Sequence, residues 1–210
     1  GMAEACLALS TPVVSGNVSL YNEHSTGGIL PTPIIGMVGL IEDVNQLQHE
    51  GVKENNALYL VGELTPSFAG SQLEKLLENK IRKTTRSIDL ELEYQRGTML
   101  REKLINGDIN KIAPLGRGGL IAKLTQLASY NNIGLEVEVD VRKDLLFAEG
   151  ASTYIVAAES GLDIEGAVEI GKLSGDKFIV KAQDFEINRN LTEVKAAWEG
   201  AIPSCMNSED

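Results

Sequence analysis

Two hydrophobic periodicities alternate along this chain, and their alternation constrains the fold more than any other feature of the sequence. Apolar residues that recur every three or four positions predict amphipathic helices, whereas strict alternation or short apolar runs predict strands. Strand patterns cover residues 57–61, 133–141, 154–158, 167–170 and 178–180, and helical patterns cover residues 72–79, 88–105, 118–130 and 191–198. Strands interleaved with helices in this way predict a mixed α/β (α+β) domain.

The N-terminal portion has a different character from the rest of the chain. Residues 3–9 read as a helix, and Val13 and Val14 and then residues 34–41 read as two short buried strands. Between the two strands, residues 15–33 are polar and contain several Gly and Pro, which predicts a long loop. No capping residue precedes the first helix, so we expect the sequence to be part of a longer protein.

The charge balance argues against nucleic-acid binding. The formal net charge is −11 over 210 residues, whereas proteins that bind nucleic acids neutralise phosphates with clustered Lys and Arg. No apolar run approaches the roughly 20 residues that a membrane-spanning helix needs, and no basic segment followed by an apolar one opens the sequence. Cys6 and Cys205 are too few and too widely separated for a disulfide framework. We therefore expect a cytoplasmic protein with neither nucleic-acid nor membrane partners.

The segment of residues 12–23 concentrates the groups that can carry chemistry. Gly16 lets the backbone approach a ligand closely. Asn17 offers a carbonyl oxygen suited to a hard cation such as Mg²⁺, and Ser19 can hydrogen-bond a phosphate or an amide. On composition alone the simpler interpretation is favoured, namely a turn stabilised by Asn and Ser side chains.

The same segment, Pro-Val-Val-Ser-Gly-Asn-Val-Ser-Leu-Tyr-Asn-Glu, resembles the signature of the synthetase subunit of phosphoribosylformylglycinamidine synthase. The resemblance extends in the same order through residues 1–6, 31–43, 117–120, 146–149 and 197–200. It therefore covers nearly the whole chain, and the first two long motifs make it specific.

The resemblance implies an ATP-dependent ligase of purine biosynthesis. The family converts formylglycinamide ribonucleotide, ATP and glutamine-derived ammonia to formylglycinamidine ribonucleotide. Its subunit has two related halves, each a barrel-forming domain followed by an α/β domain. Residues 1–40 would be the last part of the second barrel-forming domain. Residues 41–210 would be the C-terminal α/β domain of the type found in aminoimidazole ribonucleotide (AIR) synthetase.

The resemblance also implies roles for three residues and two cofactors, ATP and Mg²⁺. Gly16 would lie at the ATP, Asn17 at Mg²⁺, and Ser19 at the substrate. No catalytic residue carries over, because the family's catalytic histidine belongs to the N-terminal half. The implied partners are that missing half, the glutaminase and small accessory subunits, and formylglycinamide ribonucleotide. We expect the chain alone to be inactive.

Two departures from the family pattern leave a second hypothesis open. Arg117 stands where the α/β domains often carry Asp, and Gly150-Ala151 stands where Ser-Gln or similar follows Glu149. The loop of residues 116–119 can bind an anion through backbone N–H groups, although a plain helix N-terminus is the favoured interpretation. The alternative function is a noncatalytic structural or interaction module of a synthetase complex.

A third hypothesis is a related synthetase that makes aminoimidazole ribonucleotide, selenophosphate or thiamine diphosphate. The string of residues 19–23 argues against it.

The remaining candidate site residues have little support from their spacing in the sequence. His24 and His49 are predicted to have no role, and Trp198 is predicted to lie in the core. The acidic residues Asp140, Asp144 and Glu149 have no specific metal-ligand spacing.

Overall fold

The computed structural model describes residues 1–18, 21–29, 32–44, 52–66, 68–79 and 87–207. Ser19 and His49 therefore lie outside the described residues. The chain divides into two compact units, Gly1–Leu47 and Gln48–Asp210. The assignment of residues 1–40 to a separate domain type stays a prediction, because a division by contacts does not identify a domain family.

The first unit contains little regular structure among its described residues. Helix α1 spans Met2–Ala8, as the sequence predicts. Strands β1 (Glu23–His24) and β2 (Gly27–Gly28) pair antiparallel, so the predicted long loop contains a small hairpin. The backbone N–H of Ile29 donates to the carbonyl of Asn22 at 2.9 Å, which closes the base of this hairpin.

The two buried strands predicted in the first unit are wrong for the described residues. Val13 and Val14 are exposed, the latter by 91%, and the described residues of 34–41 are exposed as well, with Val38 at 103%. These stretches are not assigned as strands in the structure. A strand is buried and hydrogen-bonded only when a neighbour covers it, and no such neighbour is found among the described residues. The apolar side chains of these stretches are thus exposed among the described residues.

The second unit is built on a seven-stranded sheet with strand order β4-β6-β3-β7-β5-β8-β9. The strands are β3 (Ala57–Val61), β4 (Lys111–Pro114), β5 (Leu135–Glu138), β6 (Tyr154–Ala158), β7 (Ala167–Leu173), β8 (Lys177–Ala182) and β9 (Phe185–Asn190). Only β5 and β8 pair in parallel among these neighbours. The strand predictions around residues 57, 135, 154, 167 and 178 are confirmed, whereas β4 and β9 were not predicted.

Within the described part of the second unit, four α-helices accompany the sheet. They are α2 (Gln72–Glu78), α3 (Leu90–Asn106), α4 (Gly119–Asn131) and α5 (Leu191–Asn207), with a 3₁₀ helix at Lys143–Phe147. Helix α3 ends at Gly107, whose φ of 81° is the left-handed conformation that glycine adopts most readily. Among the described residues, no helix is both long enough and apolar enough to span a lipid bilayer.

The core lies on both faces of the central strands. On β3, Leu58 belongs to one buried cluster together with Leu124 of α4. Its neighbours Ala57 and Tyr59 belong to a second cluster with Leu100 of α3. Because successive strand residues point to opposite faces, β3 and β6 must be apolar at nearly every position. The sheet is thus covered by α4 on one face and by α3 on the other.

Helix α5 differs from the sequence prediction in length and in what it buries. It continues well past the predicted end at Trp198 and includes Pro203. Leu191 is buried and Val194 packs against the core, but Trp198 is 39% exposed. The prediction of a core tryptophan is therefore wrong. The residues with which α5 packs on the core therefore lie in its first turns.

Candidate functional site

The loop that the sequence singles out is accessible in the described structure. Gly16 and Asn17 are exposed and lie in a segment without regular structure. A Cβ built on Gly16 would meet nothing within 4 Å, so the surroundings within this chain do not require a glycine there. Ser19 lies outside the described residues, so its placement relative to the other two stays a prediction.

The described residues offer only a small part of a magnesium site. Mg²⁺ takes near-octahedral coordination by oxygen and is held by protein carboxylates, phosphates and waters. Asn17 presents one amide oxygen, and the described part of the chain contains no group of three or more His, Cys, Asp or Glu placed to hold a metal. The donor set therefore fits Mg²⁺ only as one contributor to a site that other groups complete.

Among the described residues, the hydrogen bonds of the His24 side chain are local. Its Nδ1 lies 3.2 Å from Thr26 Oγ1 and 3.3 Å from Ser25 Oγ, within the β1–β2 hairpin. The acidic residues also have separate partners: Asp140 accepts a hydrogen bond from Gln183 at 2.9 Å, and Asp144 pairs with Arg142. These contacts agree with the simpler interpretation of each residue.

The second unit contains a cavity of about 740 Å³ at one end of its sheet. It lies where β3 ends, where β6 begins and where α3 and α4 have their N-termini. Its walls are formed by Glu63, Thr65, Ser87, Ile88, Asp89, Leu92, Arg96, Gly116, Arg117, Glu149, Gly150, Ala151, Ser152 and Thr153. This volume lies within the range of about 300–1,000 Å³ that is typical of small-molecule sites.

Glu149 joins two helix N-termini at the wall of this cavity. Its side chain is buried, at 7% exposure. Its Oε1 accepts one hydrogen bond from the backbone N–H of Gln72 and one from that of Gly118, both at 2.9 Å. A carboxylate is favoured at such positions because it meets unpaired N–H groups and the positive end of the helix dipole. One backbone N–H at the start of α4, that of Gly118, is thus already bound by Glu149, which is compatible with the simpler interpretation of residues 116–119 as a plain helix N-terminus.

A hydrogen-bond network fixes the wall opposite α4. Tyr154 and Ser152 both donate to the carboxylate of Glu93, each at 2.6 Å. Arg96 donates from Nη1 to the carbonyl of Ser152. Burial raises the pKa of the Tyr154 phenol well above its usual range, and the hydrogen bond to Glu93 raises it further. The phenol therefore stays protonated at alkaline pH values at which an ordinary tyrosine ionises, and it acts as a donor.

Sequence reasoning did not find this network. Glu93 and Arg96 lie inside the helical pattern of α3, and Ser152 follows them by more than fifty residues. No local spacing marks the three as neighbours, because only the docking of α3 against β6 brings them together.

Comparisons with known proteins identify the family. No protein-family model matches the sequence. The subunit PurL of phosphoribosylformylglycinamidine synthase from Macrococcus caseolyticus is 48% identical over 211 residues, covering 100% of this chain and 29% of the relative. The PurL proteins of Staphylococcus epidermidis and Staphylococcus aureus are 43% and 42% identical over 213 residues, with the same coverage. The chain belongs to the PurL family. It spans 29% of the length of these PurL relatives.

Solved PurL structures share the fold. Thermotoga maritima PurL complexed with FGAR matches with a TM-score of 0.55 at 13% identity, covering 70% of this chain and 29% of that chain. The same PurL complexed with ATP matches with a TM-score of 0.51 at 9% identity, covering 70% and 26%. These comparisons confirm the predicted AIR-synthetase-like α/β fold class. The level of identity to PurL places the chain in the PurL family and not among the related synthetases of the third hypothesis.

Proposed function

We propose that the chain forms part of an ATP-dependent C–N ligase that makes formylglycinamidine ribonucleotide in purine biosynthesis, in the cytoplasm. The observation that carries this proposal is the identity of 42–48% to PurL proteins over the full chain. Support also comes from the Gly16–Asn17 segment, which is exposed and can therefore reach a ligand. The reaction would join ammonia derived from glutamine to formylglycinamide ribonucleotide at the expense of ATP.

Three residues would contribute to the ligand site. Gly16 lets the backbone lie against ATP, since no side chain intervenes. Asn17 presents its amide oxygen to Mg²⁺, and Ser19 donates a hydrogen bond to the ribonucleotide substrate. Bound Mg²⁺ supplies neutralisation of the charge on the transferring phosphoryl group. The role of this chain is to position these ligands, and the groups that transfer protons would come from elsewhere in the subunit.

The site would be completed by the remainder of a PurL subunit, its N-terminal half. In support, the chain spans 29% of its relatives, and the uncovered apolar residues of the first unit include Val14, Val38 and Leu40. Exposed apolar surface of this extent is typical of an interface. Residues 1–40 would be the end of the second barrel-forming domain and residues 41–210 the second α/β domain. The chain alone would be inactive. The glutaminase and small accessory subunits would be further partners.

A noncatalytic structural module is the second candidate for the α/β portion. Glu149 already occupies the N–H group of Gly118, and Arg117 and Gly150-Ala151 depart from the family pattern. A domain with these features can stabilise the ligand-binding half without binding a nucleotide. This function is compatible with a role of Gly16–Ser19 in the first unit.

Complementation tests the proposal. The chain is mixed with the remaining N-terminal portion of the Macrococcus relative, and ADP formation is measured with formylglycinamide ribonucleotide, ATP and ammonia. We expect each part alone to be inactive and the mixture to be active. Asn17→Ala should lower the activity of the mixture at least tenfold, because loss of a metal ligand should cost no less than the roughly tenfold minimum for loss of a group that supports one.

Asn188→Ala is the matched control, because Asn188 is an exposed asparagine of β9 in the other unit. It should leave activity unchanged. Turnover by the isolated chain would contradict the need for a second part. An active mixture that is insensitive to Asn17→Ala would remove Asn17 from the site. Calorimetric absence of Mg-ATP binding to the mixture would favour the structural module.

A further inference from the structure

We propose that the β9 edge of the seven-stranded sheet is an interface through which two copies of this chain join, with β9 of one copy pairing antiparallel to β9 of the other. Among the residues that the structure describes, β9 pairs with β8 alone and ends the strand order on that side. A strand with one neighbour presents a row of unpaired backbone N–H and C=O groups, which is a template for another strand. The proposed interface lies wholly in the second unit and is therefore independent of the Gly16–Asn17 segment of the first.

The two edges of the sheet differ in their protection against such pairing. Proteins protect exposed edges with short strands, with Lys and Pro, or with bulges. The other edge strand, β4, has only four residues, of which Lys111 is the first and Pro114 the last. Strand β9 has six residues without Lys or Pro, and its register with β8 runs from Phe185 to Asn190 without a bulge. The β4 edge thus carries the usual protection, whereas β9 is regular and open among the described residues.

The backbone of β9 is accessible to a partner strand. The side chain of Arg189 donates from Nη1 to the carbonyl of Asn188 at 3.0 Å, and both residues are exposed. Within an antiparallel pair, successive residues direct their backbone groups alternately toward the neighbour and away from it. An exposed hydrogen bond contributes little net stability, because water or another donor can replace it. An incoming strand can therefore displace such a side chain without a large loss of internal hydrogen bonding.

The sequence of β9 fits a second copy of itself in one register. A twofold axis perpendicular to the sheet keeps the same face of both copies on one side, so paired residues differ by an even number of positions. An axis centred on Ile187 places this residue opposite its own copy and Phe185 opposite Arg189. Apolar pairs directly opposite each other stabilise a strand pair, and a guanidinium over an aromatic ring is a favourable cation–π pair. The charged residues Glu186 and Arg189 differ in sign and do not meet their own copies, so no like charges lie opposite each other.

Helix α5 adds an apolar surface at the same edge. It begins directly after β9 and contacts β8, β9 and α4. Three of its large side chains recur every four residues and therefore share one side of the helix. They are Trp198, Ile202 and Met206, exposed by 39%, 73% and 80%. The twofold axis places both α5 helices on the same side of the joined sheet, where these residues can cover one another. A second copy thus meets β9 with a complementary strand and α5 with a matching apolar helix.

Sedimentation of the full chain from micromolar to millimolar concentration tests the proposal. We expect the apparent mass to rise from that of one chain, 22.6 kDa, toward twice that value. Each copy has a formal net charge of −11, so salt should strengthen the dimer by screening repulsion between the copies. A chain that stays monomeric at millimolar concentration would overturn the proposal. So would protection of the β9 amides from hydrogen exchange by the remainder of a PurL subunit in place of a second copy.

A charge variant separates the β9 edge from other sticky surfaces. Arg189→Glu removes both Phe185–Arg189 pairs of the dimer and should weaken association roughly tenfold. Arg101→Glu makes the same change of charge at an exposed position of α3 and should have a much smaller effect. Equal weakening by both variants would show that net charge alone acts. Association that is insensitive to Arg189→Glu would place the contact on the exposed apolar residues of the first unit. Either result would overturn the proposal.

Disulfide trapping tests the register. In a chain with Cys6→Ser and Cys205→Ser, oxidised glutathione is added to Ile187→Cys or to Glu186→Cys. Directly opposed residues have Cα atoms about 4.5–5.5 Å apart, within the roughly 4.4–6.8 Å that a disulfide spans. Ile187→Cys should therefore form a cross-linked dimer. Position 186 lies two residues away from its own copy along the partner strand, so Glu186→Cys should cross-link much less. Comparable cross-linking of the two variants, each checked for its fold by amide spectra, would refute this pairing of β9.

Discussion

Removing the hydroxyl of Tyr59 should destabilise the second unit far more than the same change at a solvent-exposed tyrosine. Tyr59 lies on β3 and is 3% exposed. Its hydroxyl donates to Glu169 Oε2 at 2.8 Å and accepts from the backbone N–H groups of Gly161 and Leu162, at 2.9 and 3.2 Å. This one oxygen thus anchors the turn between β6 and β7 to the centre of the sheet.

The expected loss of stability follows from the hydrogen bonds that Tyr59→Phe removes. The ring is retained, so no cavity forms, and the cost is that of the lost hydrogen bonds. Each hydrogen bond contributes about 0.5–1.5 kcal/mol net. Glu169 is exposed and regains water, whereas Gly161 and Leu162 lose their acceptor. We therefore expect a loss of about 1–3 kcal/mol, which corresponds to a decrease in Tm of roughly 2–4 °C per kcal/mol for a unit of this size.

The assay is thermal and urea denaturation, together with hydrogen exchange of the two amides. Tyr130→Phe is the matched control, since Tyr130 lies on α4 and is 72% exposed. In Tyr59→Phe the amides of Gly161 and Leu162 should exchange faster. If Tyr59→Phe and Tyr130→Phe changed stability equally, or if those two amides kept their protection, the anchoring role of the hydroxyl would be refuted.

Three further predictions concern the same unit. Glu149→Ala should cost about 2–4 kcal/mol by urea denaturation, because two helix N-terminal N–H groups lose a charged acceptor, and Glu149→Gln should cost less since it keeps an oxygen. Gly119→Ala should be far more destabilising than Gly175→Ala: both glycines have positive φ, but only at Gly119 would a Cβ collide with backbone, 2.6 Å from the Phe147 carbonyl carbon. Because the pKa of Tyr154 is raised on folding, stability should fall as the pH rises above the ordinary tyrosine value of about 10. Tyr154→Phe should remove that part of the pH dependence, measured by unfolding at several alkaline pH values, and an unchanged profile would contradict it.

The sequence by itself determined the helices and the central strands of the second unit. Strand β6, Tyr154–Ala158, has the predicted bounds, because a strand covered on both faces is apolar at every position and stands out in the pattern. Helices α3 and α4 were found from their 3.6-residue periodicity, and the predicted end of α3 at residue 105 lies one residue before the observed end at Asn106. The likeness of residues 12–23 to the family signature was equally local, since contiguous residues carry it.

Pairing and burial were decided by the tertiary structure. Strands β7 and β8 follow each other in the sequence but do not pair with each other, because β5 lies between them. The edge strands β4 and β9 were missed because a strand with one neighbour and partly exposed faces need not be apolar. Whether an apolar stretch is buried depends on what covers it, which is why Val14 is exposed although its sequence predicts a core strand.

Of all the features of this protein, the cavity depends most on the tertiary structure. Arg96 reaches Ser152 across 56 positions of sequence, and Glu149 reaches Gln72 across 77. No periodicity relates residues at such separations, since each contact forms only when a helix, α3 or α2, meets the chain segment of residues 149–152 in the folded unit. The sequence therefore supplied the family and the elements, whereas the packing of helices against strands created the cavity.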